Sequence, residues 1–159
     1  MEKKKVAIAS DHAGFHMKDF LKKEFPDIDW IDEGPASTDR VDYPDFAKKV
    51  AVKVSMSEVT QGILICGSGI GMSISANKIK GVRAAVVESE IAARLAKHHN
   101  DANILCLGSR IIAYDYAKEI VNTWLESSFD GGRHADRIKK ISELEASHDD
   151  DEPSITIET

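Results

Sequence analysis

Short β-branched segments alternate with segments of helical periodicity along most of the chain. Val6-Ala-Ile-Ala-Ser10 and Gly62-Ile-Leu-Ile-Cys66 are nearly continuous apolar runs, which are typical of strands buried on both faces. Strands separated by helices pair in parallel, because a parallel pair needs a long crossover. Strands are predicted at residues 6–10, 28–32, 62–66, 83–87 and 103–107. The pattern therefore predicts an α/β fold: a three-layer αβα sandwich around a doubly wound, five-stranded parallel sheet of the Rossmann or flavodoxin type.

Each helical segment carries an apolar stripe that predicts which side packs on the sheet. In residues 14–25, Leu21 belongs to that stripe and Lys18 is expected to face water. In the helix after the fourth strand, Ile91 and Leu95 are expected to face the core. The remaining helices are predicted at about residues 44–54, 70–79, 114–126 and 132–146.

Charge is concentrated towards the carboxyl-terminal end. Residues 143–159 hold seven of the 27 acidic side chains and no Lys or Arg, which leaves residues 1–142 with 21 basic and 20 acidic side chains. A nearly neutral body has no basic surface for phosphate backbones, which argues against a nucleic-acid-binding protein. We expect one domain over residues 1–146 and an acidic, disordered tail over residues 147–159.

The sequence contains no segment suited to a membrane. No apolar run approaches the roughly 20 residues that span a bilayer, and the apolar run after Met-Glu-Lys-Lys-Lys is too short for a signal peptide. We therefore expect a cytoplasmic protein whose two cysteines are reduced thiols. Neither Cys66 nor Cys106 belongs to a Cys-x-x-Cys pair, which argues against a zinc ribbon or a thioredoxin-like site.

The strongest local signal is the glycine-rich segment Cys66-Gly-Ser-Gly-Ile-Gly-Met-Ser73, which follows the third predicted strand. Ligands of open α/β sheets bind beyond the carboxyl ends of the strands. Three glycines let backbone N–H groups point into one concavity beside a helix amino terminus, which suits an anion. Met72 excludes a Walker loop and weakens a dinucleotide fingerprint, for which Glu88 would be the ribose-binding acid. A plain tight turn is the alternative.

Cys66 lies at the mouth of this loop. A helix amino terminus stabilises a thiolate, which would make the sulfur a base or a nucleophile. The alternative is a small buried core residue, which is the commoner role of cysteine. Cys106 has no comparable loop after it and is interpreted as core.

Three other polar clusters each allow two interpretations. Asp11-His12 follows the first strand, where Asp11 either caps the next helix or contacts a ligand. His99 ends a helix, where surface histidines are common and a catalytic one is the alternative. Arg133 and Arg137 are four residues apart on one helical face, which suits either a phosphate clamp or a solvated charged surface.

Six motifs occur in order along the chain: Ser-Asp-His-Ala-Gly-Phe (10–15), Asp-Tyr-Pro (42–44), Gly-Ile-Leu-Ile-Cys-Gly-Ser-Gly-Ile-Gly (62–71), His-Asn-Asp (99–101), Gly-Ser-Arg (108–110) and Gly-Gly-Arg-His-x-x-Arg (131–137). Together they resemble ribose-5-phosphate isomerase type B, in the sugar-phosphate isomerase family that includes the galactose-6-phosphate isomerase subunits. The resemblance covers about residues 4–146.

This resemblance implies roles for individual residues. The family's proton-transferring cysteine matches Cys66, and its ring-opening histidine matches His99. Its sugar-binding Asp-His pair matches Asp11 and His12, and Ser68 keeps the hydroxyl where many members have Thr. The other implied substrate-binding residues are Gly67, Gly69, Ile70, Gly71, Asn100, Arg110, Arg133 and Arg137.

The resemblance also implies an activity and an assembly. The activity is the interconversion of ribose 5-phosphate and ribulose 5-phosphate, in the non-oxidative branch of the pentose phosphate pathway, with neither a metal nor an organic cofactor. The assembly is a homodimer with active sites shared between subunits, sometimes paired into a tetramer. Two alternatives stay open: an isomerase of a six-carbon sugar phosphate such as allose or galactose 6-phosphate, and a non-enzymatic nucleotide- or phosphate-binding module.

Overall fold

A parallel sheet forms the middle of the computed structural model, which describes residues 1–150 and the side chains of residues 1–147. Its strands are β1 (Lys5–Ser10), β2 (Asp29–Asp32), β3 (Gly62–Cys66), β4 (Ala84–Val86) and β5 (Ile104–Gly108). They are hydrogen-bonded in the order β2-β1-β3-β5-β4, and every neighbouring pair is parallel. The predicted fold class is confirmed.

The helices begin close to their predicted starts. They are α1 (Phe15–Glu24), α2 (Tyr43–Ser55), α3 (Ile70–Ala76), α4 (Glu90–His98), α5 (Tyr114–Glu126) and α6 (Arg133–Asp150). The hydroxyl of Ser89 caps α4 by accepting a hydrogen bond from the Ala92 N–H at 3.1 Å. None of the helices within residues 1–150 is long and apolar enough to cross a membrane.

Two helix ends differ from the sequence prediction. α3 ends at Ala76 rather than near residue 79, because the chain turns there to enter β4. α6 continues past the predicted domain boundary at residue 146 as far as Asp150, the last residue that the structure describes. The rest of the predicted tail, residues 151–159, lies outside the described residues.

The helices cover both faces of the sheet and so build three layers. On one face, Met17 of α1, Ala93 of α4 and Trp124 of α5 are buried together. On the other face, Val50 of α2 and Met72 of α3 are buried together. With both faces covered, the edge at the carboxyl ends of the strands is where an open α/β sheet offers a crevice to ligands.

The position of Lys18 outside the apolar stripe predicted that its side chain faces water, but the side chain is buried. Its side chain is only 2% exposed, and the ammonium group bonds the Asp32 carboxylate at 2.9 Å and the Pro35 carbonyl at 2.8 Å. The pair joins α1 to the end of β2. A lysine is buried at this position because two oxygens replace the water that its charge would otherwise lose.

α4 also presents a different side to the core from the predicted one. Ile91 and Leu95 are 67% and 41% exposed, whereas Ala93 and Ala96 are buried. The small alanine side chains allow α4 to lie close to its neighbours in the core. The larger apolar side chains are left on the outer surface.

Candidate active site

A cavity of about 540 Å³ opens at the carboxyl end of β3. It lies where the topology of a doubly wound sheet predicts a ligand site. The residues that line it come from the ends of β1, β3 and β5 and from the first turns of α2 and α3: Asp11, Tyr43, Cys66, Gly67, Ser68, Ile70, Gly71, Ile74, Arg110 and Ile111.

The glycine loop holds the Cys66 thiol at the floor of this cavity. The backbone N–H of Gly69 donates a hydrogen bond to Cys66 Sγ at 3.1 Å. Gly69 adopts φ of +78°, a left-handed conformation that turns its N–H back towards the sulfur. A backbone N–H donor at this distance fixes the sulfur and would stabilise negative charge that develops on it during proton transfer.

Ser68 and Arg110 complete the wall on the β5 side. The Ser68 hydroxyl accepts a hydrogen bond from the Ile70 N–H at 3.3 Å. A methyl group added to Gly67 would lie 3.2 Å from Arg110 Nη1, so the guanidinium group rests directly on the loop. An anion seated at this loop would therefore meet backbone N–H groups, a hydroxyl and a positive charge together.

Ser109 ties this wall to the loop after β1. Its hydroxyl donates to the Ala13 carbonyl at 2.8 Å and lies 3.2 Å from the Cys66 carbonyl. It belongs to the quoted Gly-Ser-Arg motif, but we had assigned it no role. Its place beyond the end of β5 follows from the strand pattern, but its hydrogen bonds do not, because they join residues 96 and 43 positions away along the chain.

Asp11 lines the cavity directly after β1, whereas His12, the next residue, is not part of the cavity wall. Asp11 Oδ1 accepts hydrogen bonds from the Ala13 N–H at 2.9 Å and the Gly14 N–H at 3.1 Å, which holds the carboxylate in the turn before α1. Asp11 does not cap α1, because the N-cap residue is Gly14 and no side chain caps that helix. His12 Nδ1 accepts from the Val41 N–H at 3.3 Å. A neutral His12 therefore carries its proton on Nε2, which leaves that atom as a donor.

Tyr43 is a lining residue that sequence reasoning missed. A methyl group on Gly71 would lie 2.6 Å from Tyr43 Cε2, so the ring packs against the loop at a point where only glycine fits. Tyr43 belongs to the quoted Asp-Tyr-Pro motif, and its place in that motif was the signal that could have identified it.

A second group of predicted site residues gathers around the end of α4. The imidazole rings of His99 and His134 are stacked, with centroids 4.4 Å apart and planes 12° from parallel. Partial burial, together with the positive charges of His99, Arg133 and Arg137, lowers the pKa of His134. The Asp130 N–H donates to the His98 carbonyl at 3.1 Å, which brings the start of α6 to this helix end.

Within one chain, the group around Cys66 lies at the carboxyl ends of the strands, and the group around His99 lies at their amino ends. The Gly62 N–H donates to the Asn103 carbonyl at 2.9 Å, so the segment after α4 meets the first residue of β3, whereas Cys66 is its last. Four residues of strand span about 13 Å. The cavity at Cys66 is accordingly lined by none of the residues at the other edge that we had predicted for the site: His99, Asn100, Arg133 and Arg137.

Cys106 lies in the core, as expected. It is fully buried in β5, and this burial raises the pKa of its thiol. Cys66 is therefore the thiol with a route to a ligand, because it lines the cavity.

Comparisons with known proteins agree with this geometry. Residues 6–141 match the family described as Ribose/Galactose Isomerase. Ribose-5-phosphate isomerase B of Escherichia coli strain K12 is 43% identical over 144 residues, which are 89% of this chain and 97% of that protein. A structure of ribose-5-phosphate isomerase B from Clostridium thermocellum is 49% identical, with a TM-score of 0.86, and the match covers 91% of this chain and 99% of that one.

A further structure shows what a relative binds. Ribose-5-phosphate isomerase B from Mycoplasma genitalium was solved with bound ribulose-5-phosphate; it is 43% identical, with a TM-score of 0.86, and the match covers 92% of this chain and 99% of that one. The sequence motifs, the parallel sheet and the loop around Cys66 thus coincide with a family match over most of the chain. The chain belongs to the ribose/galactose isomerase family.

Proposed function

We propose that this protein is a ribose-5-phosphate isomerase of type B, which interconverts ribose 5-phosphate and ribulose 5-phosphate. The observation that carries the proposal is a thiol held by a backbone N–H donor at the floor of an anion-binding loop. A base beside such donors suits proton abstraction next to a carbonyl, because the donors stabilise the enediolate that forms. The relative solved with ribulose-5-phosphate supports this substrate over the alternatives.

The reaction begins with ring opening of ribose 5-phosphate. The bond between C1 and the ring oxygen breaks, and His99 gives a proton to the ring oxygen. The anomeric hydroxyl passes its proton to solvent as the C1 carbonyl forms. Asp11 and the Nε2–H of His12 hold the sugar hydroxyls. Arg110, Arg133 and Arg137 hold the phosphate and supply orientation rather than proton transfer.

Isomerisation then moves one hydrogen between carbons. The Cys66 thiolate takes the proton from C2, which leaves an enediolate stabilised by the loop N–H groups of Gly67 to Gly71 and by Ser68. The thiol returns the proton to C1, while the proton on O2 passes to O1 and the C2 carbonyl forms. Ring opening and isomerisation need only bond cleavage within the sugar and the movement of protons, with no external oxidant or reductant, and we expect neither a metal nor an organic cofactor.

We further propose that each active site is shared between two copies of the chain. The required residues lie in two groups at opposite edges of the sheet, so one copy would supply Cys66 and the next would supply His99. Active sites shared between subunits are also what the family resemblance implies. Exposed apolar side chains surround the mouth of the Cys66 cavity, as expected for a surface that another copy covers: Tyr43, Ile70, Ile74 and Ile111.

Subunit mixing tests both proposals at once. Cys66→Ala and His99→Asn should each lower kcat, the first by about 10²- to 10⁴-fold, as expected for loss of a general base. Co-refolded in equal amounts, half of the dimers would be mixed and would hold one intact site of two, which restores about a quarter of wild-type activity. Mixed dimers that form and stay inactive would place base and acid in one subunit.

Substrate choice is tested separately. We expect kcat/KM for ribose 5-phosphate to exceed that for allose 6-phosphate and galactose 6-phosphate. A higher value for a six-carbon substrate would favour that alternative, and binding of sugar phosphates without turnover would favour the non-enzymatic module. We expect the protein to act in the cytoplasm, in the non-oxidative pentose phosphate branch.

A further inference from the structure

A second polar cavity, of about 560 Å³, lies at the amino edge of the sheet. It is formed where β1 begins, α2 and α4 end and β4 is entered. Its wall includes Lys4, Gln61, Arg83, Lys97 and Asp101. None of the residues proposed to bind the sugar phosphate lines it, among the residues that the structure describes.

Lys97 is a buried cation that the proposed mechanism does not use. It is only 6% exposed, and its Nζ lies 4.3 Å from the centroid of the Trp124 ring. Within residues 1–147, no hydrogen bond is made by this ammonium group, although it lines the cavity. Burial lowers its pKa to about 8; Asp101 acts in the opposite direction, and the positive charges of Lys4 and Arg83 add to the lowering.

The neighbouring groups leave this cavity with excess positive charge. The Arg83 guanidinium pairs with Asp101 at 3.3 Å and donates to backbone carbonyls of residues 100 and 101. Lys4 Nζ donates to the Leu125 carbonyl at 3.0 Å and pairs with no carboxylate within residues 1–147. Against three cations, the cavity wall therefore offers the single carboxylate of Asp101.

The unbalanced charge favours a doubly charged ligand. A phosphate group carries about two negative charges near pH 7, whereas acetate and chloride carry one each. With three cations and one carboxylate on the wall, the two positive charges that Asp101 does not balance match a phosphate group.

We propose that this cavity binds a small phosphate-bearing anion, either free phosphate or the phosphate group of a phosphate ester. The anion supplies the counter-charge that Lys97 and Lys4 lack and accepts hydrogen bonds from the Lys97 ammonium group. This site is distinct from the proposed active site, because none of its lining residues is one of the proposed catalytic or substrate-binding residues. Binding should change the fluorescence of Trp124, because the Trp124 ring lies next to the Lys97 ammonium group.

The test uses that contact in a protein with a single tryptophan. Trp30→Phe leaves Trp124 as the only indole, because the chain has two tryptophans. Inorganic phosphate, glycerol 3-phosphate, acetate and chloride are titrated at constant ionic strength while Trp124 fluorescence and the Lys97 pKa, by NMR of the side-chain nitrogen, are followed. We expect a saturable fluorescence change and a higher Lys97 pKa with the phosphate compounds only. Whichever of inorganic phosphate and glycerol 3-phosphate binds more tightly shows whether the ligand is free phosphate or a phosphate ester.

Variants decide whether Lys97 carries the binding. Lys97→Met keeps the length of the side chain and removes the charge, and should weaken phosphate binding by about 10-fold or more. Lys48→Met, on the exposed side of α2, is the matched control and should change nothing. No saturable change, or equal binding by Lys97→Met, overturns the proposal. If Lys97→Met does not fold, Lys4→Met provides the same test, with unchanged affinity as the contradicting result.

Discussion

Gly69 is the residue whose replacement should separate backbone strain from close packing. Its φ of +78° costs a residue with a side chain about 1–2 kcal/mol. A methyl group there would also lie 2.9 Å from the Leu107 carbonyl carbon and 3.0 Å from Val86 Cγ2, and the first of these atoms belongs to a buried strand. Overpacking of this kind adds about 1–3 kcal/mol. We therefore expect Gly69→Ala to lower the free energy of unfolding by about 2–5 kcal/mol.

Gly81 provides the matched control. Its φ of +79° is nearly the same, but a methyl group there would meet no atom within 4 Å. Gly81→Ala should therefore cost only the conformational part, about 1–2 kcal/mol. Urea unfolding at one fixed protein concentration measures both variants, because self-association would otherwise shift the midpoint. Equal losses would refute the close approach of the loop to β5.

The same pair tests the hydrogen bond to the thiol. Displacing residue 69 moves the N–H that lies 3.1 Å from Cys66 Sγ. Gly69→Ala should therefore slow alkylation of Cys66 by iodoacetamide at pH 7, whereas Gly81→Ala should leave the rate unchanged. An unchanged rate in Gly69→Ala would mean that this donor does not control the thiolate.

Three further predictions concern other contacts. Iodoacetamide should modify Cys66 before Cys106, whose thiol is buried with a raised pKa; the reverse order by mass spectrometry would contradict the assignment. Burial opposes ionisation of Asp32, but hydrogen bonds from Lys22, Lys18 and the Gly34 N–H lower its pKa overall, so Asp32→Asn should destabilise the protein at pH 7. The difference in the free energy of unfolding between the two proteins should fade as pH falls below about 4, and a constant difference would contradict the lowered pKa of Asp32. Ser109→Ala should cost about 1 kcal/mol in urea unfolding, and no loss would mean that its hydroxyl bonds contribute nothing.

The local sequence pattern was sufficient to predict the strands and the glycine loop after β3. Runs such as Gly62-Ile-Leu-Ile-Cys66 are apolar throughout because helices cover both faces of the sheet, and that composition is visible without a structure. The glycine spacing after Cys66 was likewise readable, because the left-handed turn at Gly69 needs a residue without a side chain.

What the sequence could not provide was the direction in which some side chains point. Ile91 and Leu95 have the spacing of a core stripe, but periodicity does not distinguish a chain's own core from a surface that another copy covers. Lys18 was assigned to water because its partner, Asp32, lies fourteen residues away in another element. Cys66 and His99 lie at opposite ends of the sheet because of the direction in which α4 runs along it. Single motifs do not encode that direction.

The position of β5 between β3 and β4 has a consequence for synthesis of the protein. Strand β4 pairs with β5 alone, and β5 is the last strand to leave the ribosome. A nascent chain that has reached residue 100 therefore has one edge of β3 uncovered and β4 without any hydrogen-bonded neighbour. Exposed strand edges promote association between chains. Ribosomes that stall before residue 108 should release aggregation-prone fragments, whereas fragments that include β5 can close the sheet.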